Sequence, residues 1–503
     1  MFAKAVAECN VDAARGQLAE LESWVAEAAR EGTAAHVVER HLFRQMLALG
    51  AELFGAFLRS VGPGDLGPAA TLEDGRAVRR LPEPRERRLV TVFGEFSIPR
   101  HVYGTREGQK IELVPTDQRL RLPEGEVSYL LQGWSQLLGV EQAFGTVART
   151  LEAILGLGQP VDTPERGNRH MAGAAAAFRA AQPAPDPEAE GALLVASEDN
   201  KGVPMVRPAT AAPAGAHRRK GEKANKKQMA CVGCVYTVDR QVRTAEDLVA
   251  ALFRDRDPGL KRRQPPQACQ KRYWAALTRE VAGETVRAQD EVFGHMAEDV
   301  ALRRRPGQVL VHLSDGQVSL AEDRGKYLPR DGRTVDVLDL LHVAPRLWEA
   351  AHLFHREGTD AAGEFVRGRL LRVLKGEAEG VVADLRRTGT DHGLGGAKAA
   401  RLRKVCDFLE KNLHRMRYDQ YLLFGYPVAT GVIEGACRHL VRDRMERAGM
   451  RWKVPGAQAM LELRTLYTNG DWDAFQTYRI ERENTRLYPH AEVLEQIPWP
   501  IAA

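Results

Sequence analysis

The stretch LLVASEDNKGVPMVR, at residues 193–207, decides the fold because the pattern of apolar and polar residues changes there. Residues 193–196 form a short continuous apolar run, which is typical of a buried strand. We predict that this strand ends at Asp199. A second short strand is predicted at 202–207 and a longer one around 228–238. These three strands would form an antiparallel meander.

The segments that follow complete an α/β pattern. A helix is predicted from about 275 to 304, and two buried strands, VLVHL (309–313) and TVDVLDL (334–340), come after it. Three strands, a helix and two further strands are the order of a ribonuclease-H-like mixed sheet. Residues 345–428 show helical periodicity without a convincing strand, so they predict an all-helical insertion.

The catalytic domain is therefore predicted in two parts. The first part is 192–344, the helical insertion separates it from the rest, and 429–503 is the second part with the carboxy-terminal helices. A helix in this second part is predicted to begin at Thr430, a good N-cap residue, and to run to about Ala448. Gly449 suits the left-handed position after it.

Residues 1–180 are predicted to form a mainly helical amino-terminal region that binds DNA. Within it, RLVTVFGEFSIPRHVYG (88–104) alternates as a small β-hairpin does. Residues 126–158 predict two helices broken at Gly139, either a helix–turn–helix or simply two packed helices. The segment 181–191 is rich in Pro and Ala and is predicted to be a linker.

Three acids stand where this fold brings side chains together. Asp199 follows the first strand, Asp315 follows the fourth in VHLSDG, and Glu434 lies early in the helix TGVIEGACRHL. Reacting groups favour strand ends in open α/β sheets. Alone, each has a simpler explanation: Asp315 as a turn, Glu434 as a partner of the helix dipole, and Asp199 as half of a solvated pair with Glu198.

Such a triad suits phosphodiester chemistry. Two Mg²⁺ or Mn²⁺ ions about 3.5–4 Å apart stabilise the attacking and leaving oxygens of a phosphoryl transfer. Mg²⁺ prefers hard oxygen ligands and keeps several waters, so a few carboxylates suffice. Asp199, on the first and central strand, is predicted to bridge both ions, while Asp315 and Glu434 bind one each.

The chain also resembles the transposases of the ISKra family of bacterial insertion sequences. The resemblance is carried by LLVASEDNKGVPMVR, VGCVYTVD, VHLSDG, DLLHVAPRLWEAA, TGVIEGACRHLVRDRMERAGMRW and, near the amino terminus, PTDQRLRLP. It implies a metal-binding triad at Asp199, Asp315 and Glu434. It also implies that 345–428 is similar to the helical insertion of Mutator-like enzymes. The family more often has Gly after its first Asp, where this chain has Asn200, which tolerates the same turn.

Two pairs near the triad are secondary candidates. In the families that the chain resembles, an Asp or Cys and a His stand near the active site where Asp339 and His342 stand here, which implies a role in holding DNA or a metal-bound water. A plain helix start is the alternative. Arg438 and Arg442 follow Glu434 at four-residue steps, which would put them on its helix face. They could reach DNA phosphates or pair with nearby acids.

Further candidates could contact DNA directly. Arg451 and Trp452 could stack on an unpaired base, although a Trp after a helix is more often part of a core. The loop before the third predicted strand is expected to contact the DNA backbone without reading bases. Its basic residues are Arg218, Arg219, Lys220, Lys223, Lys226 and Lys227.

Composition is consistent with a DNA partner. The net charge is +5 over 503 residues, and residues 201–230 carry eight Lys or Arg against one acid. The length predicts two to four domains. No apolar run reaches the roughly 18–20 residues of a membrane helix, and the amino terminus lacks a secretory pattern. We therefore expect a cytoplasmic, nucleoid-associated protein.

The six cysteines do not predict a disulfide framework or a zinc site. Cys231 and Cys234 are close in sequence, but both lie on a predicted strand. Residues three apart on a strand face opposite sides, so they cannot share a metal there. Both are predicted to be small buried residues.

These patterns predict a transposase that binds the inverted repeats of its element, cuts DNA and joins the 3′ hydroxyl to a target. Double-stranded DNA is the expected partner, and a homodimer or larger assembly is expected because two ends must meet. The alternatives are a domesticated DNA-binding protein that no longer cuts and a nuclease that does not join.

Overall fold

The computed structural model describes residues 10–105, 111–206, 227–255, 266–429, 431–447 and 449–490. The chain divides into two compact units, one of Met1–Ala174 with Trp472–Ala503 and the other of Ala175–Asp471. The first boundary between the units follows Ala174 and so precedes the predicted linker at 181–191. The second boundary, before Trp472, separates the last helix from the unit that holds the large sheet.

The first unit combines helices with two small sheets. Its elements are α1 (Asp12–Glu31), α2 (Ala35–Val61), β1 (Ala69–Thr71), β2 (Ala77–Arg80), β3 (Arg85–Thr91), β4 (Gly94–Arg100), β5 (Tyr103–Gly104), β6 (Ile111–Leu113), α3 (Pro115–Leu120), α4 (Tyr129–Gly139), α5 (Phe144–Leu155) and α6 (Asp162–Ala172). β3 and β4 form the predicted hairpin. Strands β1, β2, β5 and β6 form a four-stranded sheet that was not predicted.

Two segments of this unit had been singled out in the sequence, the helix pair broken at Gly139 and PTDQRLRLP. α4 ends at Gly139, and α5 follows it after a short loop, as predicted. Asp117, in the PTDQRLRLP segment, is buried and pairs with Arg100 and, at 2.6 Å, with Arg87. It thereby ties α3 to both strands of the hairpin, which gives that segment a structural role.

The second unit is built on a five-stranded mixed sheet. Its elements up to the last strand are α7 (Ala175–Ala181), β7 (Leu193–Pro204), β8 (Lys227–Val238), α8 (Ala245–Phe253), β9 (Cys269–Leu277), β10 (Arg279–Val281), β11 (Glu284–Val286), α9 (Ala288–Arg303), β12 (Leu310–Ser314), α10 (Val318–Tyr327) and β13 (Thr334–Leu338). The strand order is β13-β12-β7-β8-β9. β7, β8 and β9 are antiparallel neighbours, whereas β12 is parallel to both β7 and β13.

Helices complete the chain after the sheet. They are α11 (Leu340–Phe354), α12 (Asp360–Leu374), α13 (Ala378–Asp391), α14 (Gly396–Lys411), α15 (Tyr418–Leu423), α16 (Gly431–Ala436), α17 (Asp443–Met445), α18 (Val454–Thr468) and, in the first unit, α19 (Trp472–Leu487). A π-helical segment, Cys437–Arg442, joins α16 to α17. The described part of 345–428 is helical as predicted, without a strand.

Strand alternation gives the sheet two different faces. On one face, Leu194, Ala196 and Val235 pack with Val292 and Met296 of α9 in a buried apolar cluster. The residues between them point to the other face. Asp199 therefore lies on the face opposite to Glu198, although the two are adjacent in sequence.

The predicted meander was wrong in two respects, and the helix predicted after it begins later than expected. Residues 193–196 and 202–207 do not belong to two strands, because β7 runs unbroken from Leu193 to Pro204 beside the equally long β8. Its third member is β9, at 269–277, which was not predicted. The helix predicted from 275 consequently begins only at Ala288, after the short β10–β11 hairpin.

Candidate active site

Asp199 lies within β7 rather than at its end, which corrects the prediction. Its Cα is in register with Val232 of β8, and pairing with β8 continues on both sides. Its Oδ1 accepts the Asn200 N–H at 2.6 Å, and its Oδ2 accepts the Cys437 thiol at 3.4 Å. Burial raises the pKa of this carboxyl, and the Asn200 N–H opposes that shift.

Asp315 follows β12 directly, as predicted. Its Oδ1 accepts the N–H of Gln317 at 2.9 Å, which closes a local turn at the end of the strand. Gly316 suits the close packing here, since a Cβ at this position would overlap the ring of Phe408 in α14 unless that ring moved. The turn that carries Asp315 is therefore held against the helices of 345–428.

Glu434 lies in α16, and Cys437, directly after that helix, donates its thiol to Asp199 Oδ2, so this helical segment lies on the Asp199 face of the sheet. The side chain of Glu434 is 48% exposed, and its Oε1 lies 3.8 Å from His342 Nε2. Cys437 is three positions further along, so the two side chains share a helix face. The helix predicted to begin at Thr430 starts at Gly431 within the described residues, while Thr430 and Ala448 lie outside them. Gly449 has the predicted left-handed conformation, with φ of 76°.

His342 lies among the acids. Asp339 caps α11 by accepting the Leu341 N–H at 2.8 Å, and its other oxygen lies 3.5 Å from His342 Nδ1. The nearby Asp339 carboxylate raises the pKa of His342, burial opposes that shift, and the charges of Asp315 and Glu434 add to the increase. Asp339 is both the predicted helix start and part of this cluster.

A cleft of about 320 Å³ opens beside Asp315 and His342. Arg346 lines it, and its guanidinium lies 4.8 Å from the ring centroid of Phe408. Arg346 also donates to Glu349 at 3.1 Å. The sequence prediction did not include Arg346, although its place one turn after His342 on α11 was a usable signal.

A buried polar network supports two of the acids from the opposite face. Glu198 is fully buried, so the solvated pair considered for it is wrong. It accepts from Arg324 Nη1 at 2.8 Å, and the same nitrogen donates to Ser314 Oγ at 2.6 Å. Arg324 thus links the residue before Asp199 to the residue before Asp315.

Arg415 adds a second link from the helical region. It donates to Ser314 Oγ at 3.2 Å and to the carbonyl oxygen of Asp315 at 3.1 Å. Asn412 fixes this guanidinium by accepting from it at 2.8 Å. Arg324 and Arg415 are more than 95% buried, and neither was predicted, because such contacts span about a hundred residues of sequence.

The other residues near Glu434 that were predicted as DNA contacts have different surroundings from one another. Arg438 lies 3.6 Å from Asp443, which fits the ion-pair alternative, and Arg442 and Arg451 are exposed. Trp452 is only 7% exposed, and its indole N–H donates to the Met445 carbonyl oxygen at 3.1 Å. Its position favours the core alternative over base stacking.

The predicted basic loop lies mostly outside the described residues. Lys227 is described, and its ammonium pairs with Glu446 at 2.8 Å. The members of the loop outside the described residues are Arg218, Arg219, Lys220, Lys223 and Lys226. Cys231 and Cys234 are both buried on β8, as predicted.

The donor chemistry of the triad fits Mg²⁺ or Mn²⁺, since all three side chains offer carboxylate oxygens. Among the described residues, no three His, Cys, Asp or Glu side chains are already arranged to hold a metal ion. No helix in this part of the chain is long and apolar enough to cross a bilayer. No protein-family model matches the chain, and no curated protein matches its sequence.

Proposed function

We propose that this protein is a DNA transposase whose second unit is a ribonuclease-H-like catalytic domain. The observation that supports the proposal is the link between the elements that carry the three acids: Cys437, after α16, donates to Asp199, Glu434 of α16 lies 3.8 Å from His342, and His342 lines one cleft with Asp315. The sheet order β13-β12-β7-β8-β9, with three antiparallel strands followed by two parallel ones, supports the proposed ribonuclease-H-like fold. The fold alone does not fix an activity, so the acids carry the functional argument.

The three carboxylates would hold two Mg²⁺ or Mn²⁺ ions. When bound, such ions polarise a phosphodiester and favour deprotonation of an attacking water or hydroxyl. The protein itself would orient the carboxylates. The Asn200 N–H fixes one oxygen of Asp199, and the Gln317 N–H fixes one oxygen of Asp315. The other oxygen of Asp199 accepts the Cys437 thiol, and Glu434 Oε1 lies 3.8 Å from His342 Nε2.

His342 would contact the reacting strand by hydrogen bonding. Its ring lies 3.5 Å from Asp339 and 3.8 Å from Glu434, where a ring N–H can donate to a phosphate oxygen of the DNA. Arg346, which lines the cleft beside Asp315 and His342, would place a guanidinium beside the same phosphate.

The proposed substrates are double-stranded DNA ends of the element and a target duplex, bound by a homodimer or larger assembly. In the cleavage step water would attack the phosphodiester at the element end and release its 3′ hydroxyl. In the joining step that hydroxyl would attack a target phosphodiester and displace a target 3′ hydroxyl. The first unit would recognise the ends, with α4 and α5 as the candidate reading element.

The test is a joining assay with the wild-type protein. Labelled duplexes from the sequence flanking the gene would be incubated with a plasmid target and Mg²⁺ or Mn²⁺, with EDTA as the control. We expect labelled ends joined to plasmid, and no product with EDTA. Cutting without joining would favour a nuclease. Binding without cutting in either metal would contradict the enzyme proposal and favour a DNA-binding protein.

A further inference from the structure

The pairing between β7 and β12 stops just before the two aspartates. Its last pair in register is Ala196 with His312, and β7 then continues beside β8 alone. Counting three residues on from that pair brings Asp199 level with Asp315. Within these two described strands, no backbone ladder ties the chain at the level of the acids. The separation of the two carboxylates therefore depends on contacts beyond the ladder.

One such contact lies on the buried face of the sheet. Glu198 and Ser314 stand one residue before the acids, and both accept hydrogen bonds from Nη1 of Arg324. This contact holds the two strands together immediately before Asp199 and Asp315. It does not reach the residues that follow the acids.

A pair of side-chain amides links the residues that follow the acids. The half-buried Asn200 donates through Nδ2 to Oε1 of Gln317, 3.3 Å away. Ser319 orients the Gln317 amide, because its Oγ accepts from Nε2 at 2.8 Å and leaves Oε1 for Asn200. We call the contact between Asn200 and Gln317 the amide bridge. It joins β7 to the turn before α10, 117 residues later in the chain.

The amide bridge connects the two residues that orient the carboxylates. The backbone N–H of Asn200 donates to Asp199 Oδ1 at 2.6 Å, and that of Gln317 donates to Asp315 Oδ1 at 2.9 Å. Each carboxylate is thus held by a backbone N–H, and the side chains of the two donor residues hold each other. Moving one carboxylate away from the other would strain this chain of three hydrogen bonds.

Asn200 is a poor choice for the stability of β7. Asparagine is depleted in strands, where β-branched and aromatic residues pack better. Its Oδ1 is buried and accepts no hydrogen bond from the part of the chain that the structure describes. A buried oxygen without a donor costs stability. Residues that break a local rule in this way are expected at functional sites.

The spacing of two carboxylates matters for the choice of metal ion. Mg²⁺ is small and demands near-ideal octahedral geometry, whereas Ca²⁺ is larger and accepts irregular arrangements of oxygens. A fixed spacing therefore favours Mg²⁺. A looser pair of carboxylates should lose affinity for Mg²⁺ before it loses affinity for Ca²⁺.

We propose that Asn200 and Gln317 are positioning residues whose amide bridge sets the spacing of Asp199 and Asp315 for Mg²⁺. Neither side chain needs to touch DNA or a metal ion. The inference rests on the proposed function, because it takes the two aspartates to be metal ligands. It adds a determinant of metal selectivity that lies outside the three acids.

The test is metal binding by the full-length protein without DNA. Mn²⁺ bound to the protein is followed by electron paramagnetic resonance and displaced with Mg²⁺ or with Ca²⁺, which gives the relative affinity for each ion. The variants are Asn200→Ala, Gln317→Met and the two combined, and each keeps the backbone N–H groups that orient the aspartates. The matched control is Gln420→Met, which removes an exposed amide on α15. Urea denaturation without metal measures the stability of each variant.

We expect each single variant to bind Mg²⁺ on the order of three- to ten-fold more weakly, the scale of one lost hydrogen bond, while the affinity for Ca²⁺ falls less. The double variant should be no worse than the weaker single one, because both changes remove the same contact. The control should match the wild type.

Several results would overturn the proposal. They are equal losses of affinity for Mg²⁺ and Ca²⁺, additive losses in the double variant, wild-type affinities in both single variants, and an equal loss in the control. In each of these cases the wild type still binds Mn²⁺, so the metal-binding triad stands. A wild type that binds no Mn²⁺ would overturn the amide bridge's role together with the triad on which it rests.

Discussion

Asp315→Asn is expected to lower the rate of DNA cleavage on the order of 10³-fold, while binding to duplex DNA changes little. The substitution keeps the size of the side chain and keeps an oxygen that can accept the Gln317 N–H. It removes the negative charge that a metal ion requires. Metal ions supply several kcal/mol of transition-state stabilisation, and about 1.4 kcal/mol is a factor of ten in rate.

The matched control is Glu322→Gln, which removes an exposed carboxylate on the neighbouring helix α10. Single-turnover cleavage of a labelled duplex measures the rate, and a gel-shift titration measures binding. Wild-type cleavage by Asp315→Asn would show that this carboxylate is not part of the chemistry. Equal losses in both variants would point to a general effect of charge on DNA binding.

Arg324→Met is expected to lower the free energy of unfolding by about 3–5 kcal/mol, because it leaves a buried carboxylate without its cation. Arg324 donates to Glu198, which is fully buried, and lies 3.4 Å from Asp336. Methionine replaces most of the aliphatic stem of Arg324, so the main loss is the guanidinium with its charge and hydrogen bonds. Urea denaturation followed by circular dichroism measures the loss.

A double variant separates the lost charge from lost packing. Glu198→Gln combined with Arg324→Met removes both charges, so it should recover part of the stability. In Arg324→Met alone, the loss should shrink as the pH falls. Burial already raises the pKa of Glu198, so the folded variant takes up a proton before the unfolded chain does. A double variant as unstable as the single one would contradict the ion-pair explanation.

The elements predicted correctly from sequence had local signals. An apolar run followed by Asp-Gly marked β12 and its turn, and Asp339 marked the start of α11 because it caps the first N–H groups. Glu434 was placed on a helix because Thr430 is a good N-cap residue and Gly449 suits a helix end. Each of these depends on residues only a few positions away.

The errors arose where long-range pairing decides the conformation. Asn200, Lys201 and Gly202 suit a turn, yet they stay extended because β8 pairs with them over the whole length of β7. The first half of β9 is exposed and polar, so its strand character comes from pairing with β8 rather than from its own pattern. Arg324 and Arg415 reach the site from distant elements, which no local pattern records.

Metal binding by the three carboxylates is the central claim, and Mn²⁺ binding measured by electron paramagnetic resonance tests it most directly. Mn²⁺ would be titrated into the protein–DNA complex of the wild type, of Glu434→Gln and of the Glu322→Gln control. We predict that two Mn²⁺ ions bind each chain of the wild type and the control, and that Glu434→Gln binds fewer or binds more weakly. The same number of ions at the same affinity in all three proteins would contradict the claim that Glu434 belongs to a metal-binding triad.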